Sequence, residues 1–292
     1  MSIELGRLGV WWANLGSLDA AAEIEAVREI ERLGYSTYWF GESGKNKDAM
    51  AHAGVLLGAT ESINVASGIA SIYNRDPTAT KSGANYLADA SGGRFVLGLG
   101  VSHAANVQRR GAEYGKPVTT MRNYLDEMDA AEYQPPAPKQ PPPILLAALR
   151  RNMLRLAAER AQGAHPYLTT PAHTARAREI LGQGPLLAPE QGFVLEPDPG
   201  KARAIARAHL GYYMTLPNYV NAWREDGFTD EDFAGDGSDR LVDALVAHGD
   251  ADAVKARIQA HLDAGADHVC IQPVTTDIDR GMRELKDLSP NP

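Results

Sequence analysis

The chain has 292 residues, of which 44% are hydrophobic and 23% charged, a balance typical of a globular protein that can bury a large core. Its formal net charge of −8 argues against nucleic-acid binding, which needs a basic face, and its single cysteine, Cys270, excludes an internal disulfide. No apolar run reaches the roughly 18 residues of a membrane span, and the N-terminus lacks a signal-peptide pattern, so we expect a cytoplasmic protein without a membrane partner.

Short apolar runs alternate with longer helical patterns along the chain, which is typical of βα units around a parallel sheet. Eight strands are predicted, over 8–13, 36–42, 64–69, 94–100, 143–148, 164–168, 191–196 and 268–274. Helices are predicted over 18–33, from Asp76-Pro77 to Gly92-Gly93, and over 117–132, 149–161, 200–214 and 251–264. The pattern predicts an α/β fold, a single (β/α)8 TIM barrel over residues 1–292.

Two stretches interrupt the alternation. Residues 134–143, QPPAPKQPPP, are proline-rich and are predicted to form an extended surface connector. Residues 212–240 contain aromatic and acidic residues without a clear strand, and are predicted to form a helical insertion between strands seven and eight. Because insertions of this kind build substrate pockets in barrels, four aromatic residues become candidates for lining one, with helix packing or a subunit interface as alternatives. They are Tyr212, Tyr213, Tyr219 and Trp223.

Catalysis in barrels takes place where strands end, so these positions are the first candidates. Trp11 and Trp12 are adjacent on the first strand and point to opposite sides, so one can pack beneath an aromatic cofactor while the other faces a helix. Glu42 ends the second strand, where a carboxylate can hydrogen-bond a cofactor or substrate, or orient a loop. Gly68 within the third strand indicates a bulge or a close approach to a ligand.

The fourth strand ends in a cluster of small and polar residues. Gly98 and Gly100 are expected to leave room for a flat ring, but His103 replaces the third glycine of the dinucleotide-binding fingerprint. Ser102, His103 and Asn106 lie just beyond the strand. The imidazole of His103 could transfer a proton near neutral pH, and a loop histidine without that role is the alternative.

The fifth and sixth strands add a predicted phosphate site. Ala147, Ala148 and Leu149 precede a helix whose N-terminal amides are suited to a phosphate. Four polar residues lie at the same rim: His165 and Tyr167 within the sixth predicted strand, and Thr169 and Thr170 directly after it. The sequence lacks the HxH, HExxH, CxxC and GxSxG patterns, so neither a metal site nor a serine hydrolase is expected. Cys270 lies in an apolar run and is predicted to be a buried small residue.

Several strings resemble a known family. INVASGIASIYNRDP and LADASGGRFVLGLGVSH resemble the third and fourth βα units of the luciferase-like monooxygenase superfamily, and the resemblance extends from the first strand to HLDAGADHVCIQ. The overall pattern resembles most the actinobacterial branch of coenzyme F420-dependent oxidoreductases. The resemblance implies a barrel that holds F420, or alternatively FMN, at its mouth and transfers a hydride to or from a small-molecule substrate. Because members of the superfamily are often dimers, a homodimer is also expected.

The resemblance also implies roles for individual residues. F420-binding relatives have a non-prolyl cis peptide in the third strand, and the matching position here is Gly68-Ile69, with Ser67-Gly68 as the alternative. Other matched positions are the ring contact Asn106, the ribityl and phosphate segment that begins Ala147-Ala148, and the acidic Glu42.

The chain departs from the relatives at two points. Ser43 stands where they often have histidine, so His103 becomes the first candidate for proton transfer. Many relatives read A-x-G-P-x-M where this chain has residues 148–153, ALRRNM, so Arg150 is expected to add positive charge for a phosphate or an oligoglutamate tail. An FMN-dependent monooxygenase and a non-catalytic flavin-binding barrel remain the alternatives.

Overall fold

A curled parallel β-sheet surrounded by helices forms the centre of the protein in the computed structural model, which describes residues 4–43 and 45–291. The strands are β1 (Leu8–Trp11), β2 (Thr37–Phe40), β3 (Asn64–Ser67), β4 (Ala70–Ser71), β5 (Phe95–Gly100), β6 (Ile144–Leu146), β7 (Gly163–Ala164), β8 (Leu186–Leu187), β9 (Glu190–Leu195), β10 (Val246–Gly249) and β11 (Val269–Pro273). The helices are α1 (Ala20–Arg32), α2 (Ala49–Ala59), α3 (Pro77–Ala90), α4 (Ala104–Arg109), α5 (Pro117–Ala130), α6 (Arg151–Arg160), α7 (Pro171–Leu181), α8 (Pro199–Met214), α9 (Pro217–Glu225), α10 (Asp239–Leu245), α11 (Ala251–Asp263) and α12 (Ile278–Asp287), and a 3-10 turn spans Ala13–Ser17.

The strands follow the order β10-β9-β11-β1-β2-β3-β5-β6-β7-β8, and β4 pairs with β5. Only Ala188 and Pro189 separate β8 from β9. The Ala188 N–H donates to the carbonyl of Ala164 (2.9 Å), and the Cys270 N–H donates to the carbonyl of Pro189 (2.9 Å). One chain segment therefore bonds to both sides of the curl, which confirms the expected α/β, TIM-barrel-like architecture. Helices α8 to α11 and strand β10 lie between β9 and β11 in the chain, and an insertion there stays a prediction.

The strands are mostly shorter than predicted, and the sheet contains short strands, such as β8 and β10, that the sequence pattern does not predict. A cis peptide at Gly68-Ile69 separates β3 from β4, as the resemblance implied at the first of its two candidate positions. The sixth predicted strand, 164–168, is reduced to β7 because Pro166 has no N–H to donate and Leu168 has a φ of 53°, which breaks the extended chain. Strand β10 was not predicted, since its four residues carry no clear apolar pattern.

Helices begin and end where local signals mark them. The Asp76 carboxylate accepts from the Ala79 N–H (2.9 Å) at the start of α3, and Gly34 adopts a φ of 86° after α1. Helix α2 was missed because its sequence, AMAHAGVLLGA, is apolar on every side and lacks a helical period. Among the described residues, none of the helices has both the length and the apolar character needed to cross a bilayer.

The role predicted for Gly98 is wrong. A Cβ on Gly98 would lie 1.9 Å from the carbonyl oxygen of Ser67, so this glycine makes room for the neighbouring strand β3 and not for a ligand. The two tryptophans behave as predicted: Trp11 faces the inside of the curl, while Trp12 is fully buried against helix α12, where a Cβ on Gly281 would lie 2.3 Å from its ring.

Candidate functional site

A cavity of about 1170 Å³ opens at the carboxyl ends of the strands, where TIM-barrel enzymes hold their ligands. Ten of the predicted site residues line it: Glu42, Gly68, Ile69, Ser102, His103, Asn106, Ala147, Ala148, Leu149 and His165. Thr169 is not among the lining residues, and its hydroxyl is buried without a hydrogen-bond partner in the described part of the chain. The structure thus brings the predicted residues together, and their individual roles stay predictions.

The floor of the cavity is built from small residues. The Trp11 indole N–H donates to the carbonyl oxygen of Gly68 (2.9 Å), which fixes the indole beside the Gly68-Ile69 peptide. A Cβ on Gly100 would lie 2.6 Å from the Ile69 side chain and 3.3 Å from the Ala147 Cβ. Glycine at position 100 therefore lets Ile69 lie across the floor, and the surface that results is suited to a flat ring.

His165 places a hydrogen-bond acceptor beside this floor. Its Nδ1 lies 2.7 Å from the carbonyl oxygen of Ala188, so Nδ1 carries the proton and donates it. The ring stacks on Trp39 at 4.4 Å, and burial lowers the pKa of His165 to about 4, so the imidazole is neutral. Its Nε2 has no partner in the described residues and lies 3.0 Å from the place a Cβ on Gly68 would take. Cys270 is buried nearby, as predicted, with its Sγ 3.9 Å from Nδ1.

Glu42 lines the cavity, but its carboxylate is already engaged. It accepts hydrogen bonds from the Ala49 N–H (3.2 Å), the Ser71 N–H (2.9 Å) and the guanidinium of Arg75, which also pairs with Asp48 (2.7 Å). The Glu42 side chain is only 4% exposed. This arrangement joins the loops that follow β2 and β4, so it favours a positioning role for Glu42 over the predicted catalytic one.

His103 precedes α4 at its N-cap position in an extended conformation, without a side-chain capping bond, and it lines the cavity. Its ring is 5.8 Å from the ring of Tyr219. Burial lowers the pKa of His103 below its ordinary value, and a side-chain hydrogen bond with Asn218 opposes that shift. The neutral imidazole is therefore the main form at pH 7, and it can accept a proton.

The opposite end of the cavity is cationic. Helix α6 begins at Arg151, and Arg150, Arg151 and Arg176 line the cavity around its N-terminus. Arg150 lies 4.0 Å from Glu225, and Arg176 pairs with a buried aspartate of the loop after α9. Positive side chains around a helix N-terminus favour an anion such as a phosphate.

A histidine holds the loop that leads into α6. The Nε2 of His173 lies 2.6 Å from the carbonyl oxygen of Leu149, and the Ala147 N–H donates to the carbonyl oxygen of Leu99 (2.8 Å). These two bonds fix the segment between β6 and α6, which keeps the first amides of the helix directed at the cavity.

A family model described as luciferase-like monooxygenase matches residues 11–268. The chain belongs to the luciferase-like monooxygenase family. A 5,10-methylenetetrahydromethanopterin reductase from Archaeoglobus fulgidus is 25% identical over 287 residues, covering 83% of this chain and 86% of the relative. The expectation of an oxidoreductase is thereby confirmed.

Two solved structures share the fold of this family member. An F420-dependent secondary alcohol dehydrogenase, in complex with an F420-acetone adduct, superposes with a TM-score of 0.76 at 15% identity, covering 100% of this chain and 99% of that one. The oxygenating constituent of 3,6-diketocamphane monooxygenase from Pseudomonas putida, in complex with FMN, has a TM-score of 0.71 at 15% identity, covering 98% and 97%.

Sequence reasoning missed several residues of this luciferase-like site. Arg151, Arg176, Tyr114 and Asn218 all line the cavity, but no local motif marks them. Arg176 lies inside helix α7 and Asn218 inside α9, so only the packing of those helices brings them to the site. Of the four aromatic candidates, Tyr212, Tyr213 and Tyr219 line the cavity, whereas buried Trp223 donates its indole N–H to the carbonyl of Leu168 (3.0 Å).

The described residues contain no group of three or more histidine, cysteine, aspartate or glutamate side chains that could hold a metal ion.

Replacing Gly68 with alanine is expected to weaken cofactor binding and to destabilise the fold by about 1–3 kcal/mol, the usual cost of overpacking. The new Cβ would lie 2.6 Å from the Trp11 Nε1 and 3.0 Å from the His165 Nε2, so the indole must move. Gly58→Ala is the matched control, because nothing lies within 4 Å of its Cβ on helix α2. Urea unfolding and titration with F420 or FMN test this on both variants. If Gly68→Ala and Gly58→Ala had the same free energy of unfolding and the same affinity, the expectation would be contradicted.

Proposed function

We propose that this chain is a coenzyme F420-dependent oxidoreductase that moves a hydride between the deazaflavin and a small organic substrate. The observation that carries the proposal is one cavity with a flat floor at Gly68-Ile69, a cationic helix N-terminus at one end, and the neutral imidazole of His103 at the edge. The reductase from Archaeoglobus fulgidus supports a redox activity of this kind.

The residues present fit such a cofactor. The floor around Ile69 and Gly100 suits its ring, and the unpartnered Nε2 of His165 can accept a hydrogen bond from a ring N–H. The first amides of α6 and the side chain of Arg151 would hold its phosphate. When bound, the deazaflavin supplies the carbon that gives or takes a hydride. His103 holds or moves the proton on the substrate side.

An FMN-dependent monooxygenase is the second candidate. The FMN complex that shares this fold supports it, because the same floor and phosphate end suit FMN. A non-catalytic flavin-binding barrel remains a third reading, since Ser43 stands where relatives often have histidine. A homodimer and a cytoplasmic location stay predictions.

Titration of the purified protein with F420 and with FMN tests the proposal. We expect F420 to bind with micromolar or tighter affinity and to be reduced or oxidised by a small organic compound. Micromolar FMN binding without F420 binding would contradict this, and oxygen uptake with reduced FMN would then identify the monooxygenase. Tight F420 binding with no turnover by any compound of a substrate panel would favour the non-catalytic barrel.

A pair of variants tests the phosphate end. Arg151→Ala is expected to weaken F420 binding about tenfold, the size of one charge-assisted hydrogen bond. An analogue that contains the deazaflavin ring but lacks the phosphate should bind Arg151→Ala with the same affinity as it binds the unchanged protein. Arg155→Ala, on the same helix but away from the cavity, is the control and should change neither affinity. If Arg151→Ala lowered the affinity for F420 and for the phosphate-free analogue by the same factor, a phosphate contact at Arg151 would be contradicted.

A further inference from the structure

One wall of the cavity consists of tyrosine rings. Tyr167, Tyr212, Tyr213 and Tyr219, hereafter the tyrosine wall, all line the cavity. The ring of Tyr213 lies 5.5 Å from Tyr167, 5.1 Å from Tyr219 and 5.4 Å from Tyr212, at tilted or edge-to-face angles. Edge-to-face packing of this kind fixes the rings and leaves π faces available to a further ring.

Two hydroxyls of the wall, those of Tyr213 and Tyr167, form a hydrogen-bonded chain with a fixed direction. The Tyr167 hydroxyl donates to the Gln272 side-chain carbonyl (2.9 Å), which can only accept. The Tyr213 hydroxyl lies 3.0 Å from that of Tyr167, whose single proton is already used, so Tyr213 is the donor of this bond. The Tyr213 oxygen then has lone pairs and no proton to offer. It presents a hydrogen-bond acceptor to the cavity.

The wall carries no charge. Burial raises the pKa of Tyr213 to about 12, so its hydroxyl stays protonated at physiological pH. Glu190 is the nearby carboxyl whose charge would act on Tyr167 and Tyr213. Burial raises the pKa of Glu190 to about 8, so this carboxyl is mostly protonated at neutral pH. Among the described residues, the hydroxyls of Tyr167 and Tyr213 bond only to each other and to Gln272, and not to a charged side chain. An ionised ligand group would therefore lose its hydration at the wall without gaining a counter-charge.

The cavity extends from the ring floor to the tyrosine wall. Its volume is about 1170 Å³, and its lining includes Gly68 and Ile69 of the floor as well as the four tyrosines of the wall. Trp11 connects the two regions, since it bonds to Gly68 of the floor and packs 4.9 Å from Tyr167 of the wall. A compound on the wall would thus lie next to a ring on the floor.

From these observations we infer that the tyrosine wall is a subsite for an uncharged ring compound with an O–H or N–H group, which donates a hydrogen bond to the Tyr213 oxygen. The identification of this compound as the substrate rests on the proposed function. The subsite itself rests on the geometry of the wall.

Isothermal titration with three probes tests the subsite, on the cofactor-free protein and on the protein loaded with oxidised F420. We expect 1-phenylethanol to bind more tightly than ethylbenzene, which lacks the hydroxyl, and than benzoate, which is charged. Tyr213→Phe should weaken 1-phenylethanol binding about 2–10-fold, the net effect of one hydrogen bond, and leave ethylbenzene unchanged. Tyr86→Phe, an exposed tyrosine of α3 outside the cavity, is the matched control and should change neither.

Three results would overturn the inference. The first is that benzoate binds as tightly as 1-phenylethanol, and the second is that Tyr213→Phe lowers the affinity for 1-phenylethanol and for ethylbenzene by the same factor. The third is that 1-phenylethanol binds to neither the cofactor-free nor the loaded protein. Failure of the proposed function is distinguishable, because F420 would then not bind while 1-phenylethanol still bound the cofactor-free protein with the expected Tyr213 dependence. Thermal unfolding of each variant verifies that it is folded.

Discussion

Replacing His103 with alanine is expected to lower kcat by about 10²–10⁴-fold, the usual contribution of a general acid or base. Affinity for the cofactor should stay close to that of the unchanged protein, because the contacts that form the ring floor, Trp11 with Gly68 and Ile69 with Gly100, do not involve His103. Single-turnover measurements of the hydride step, together with a cofactor titration, separate the two effects. A variant that keeps full kcat would show that the proton is moved by another group or by water.

The pH dependence of kcat gives a second test of the role of His103. In the direction in which the substrate gives up a proton, His103 acts in its neutral form, which is present above its pKa. Because burial holds that pKa below the ordinary value of about 6.5, kcat should be constant through neutral pH and fall in more acidic solution. Asn218→Ala removes the hydrogen bond that raises this pKa, so the fall should move to lower pH. A profile unchanged in Asn218→Ala would contradict the assignment.

The contribution of Glu190 to stability is expected to fall as the pH rises from about 4.5 to about 8, and Glu190→Gln should remove that contribution. Buried histidines such as His165, whose pKa is lowered to about 4, act in the opposite direction below about pH 6.5, and they do so equally in both proteins. Glu190 is fully buried, its Oε2 accepts from the Leu168 N–H (3.0 Å), and its Oε1 has no partner in the described residues. Burial raises its pKa from 4.5 in the unfolded chain to about 8. Between those values the folded state keeps a proton on Glu190 that the unfolded state releases, so the contribution of this group to the free energy of unfolding decreases by about 1.4 kcal/mol per pH unit.

The glutamine variant can still accept the Leu168 bond, and it does not titrate. Urea unfolding of both proteins at pH 5.5 and at pH 8 tests this: relative to the unchanged protein, Glu190→Gln should gain stability between the two pH values. Glu113→Gln, at an exposed position, is the control and should follow the unchanged protein. Parallel curves for Glu190→Gln and the unchanged protein would mean that Glu190 is not protonated in the fold.

The sequence was sufficient to place the site but not to assign every role within it. Because the carboxyl ends of parallel strands meet at one edge, residues as distant as Glu42, His103 and Leu149 could be predicted to share a cavity. The engagement of Glu42 by Arg75 depends on how two loops meet, and no spacing in the chain reveals that. Gly98 was assigned to the ligand because a strand glycine marks a close approach, while the pattern does not show whether the approaching group is a ligand or a neighbouring strand.

The position of β11 has a consequence for how the protein is made. It lies between β1 and β9, with Gly9 paired to Cys270 and Ile271 to Gln191. During synthesis on the ribosome, β1 (Leu8–Trp11) emerges long before β11 (Val269–Pro273), so this edge of β1 has no partner strand until β11 follows. The nascent chain therefore exposes a β-edge over that interval, and β11 covers it when it pairs with both β1 and β9.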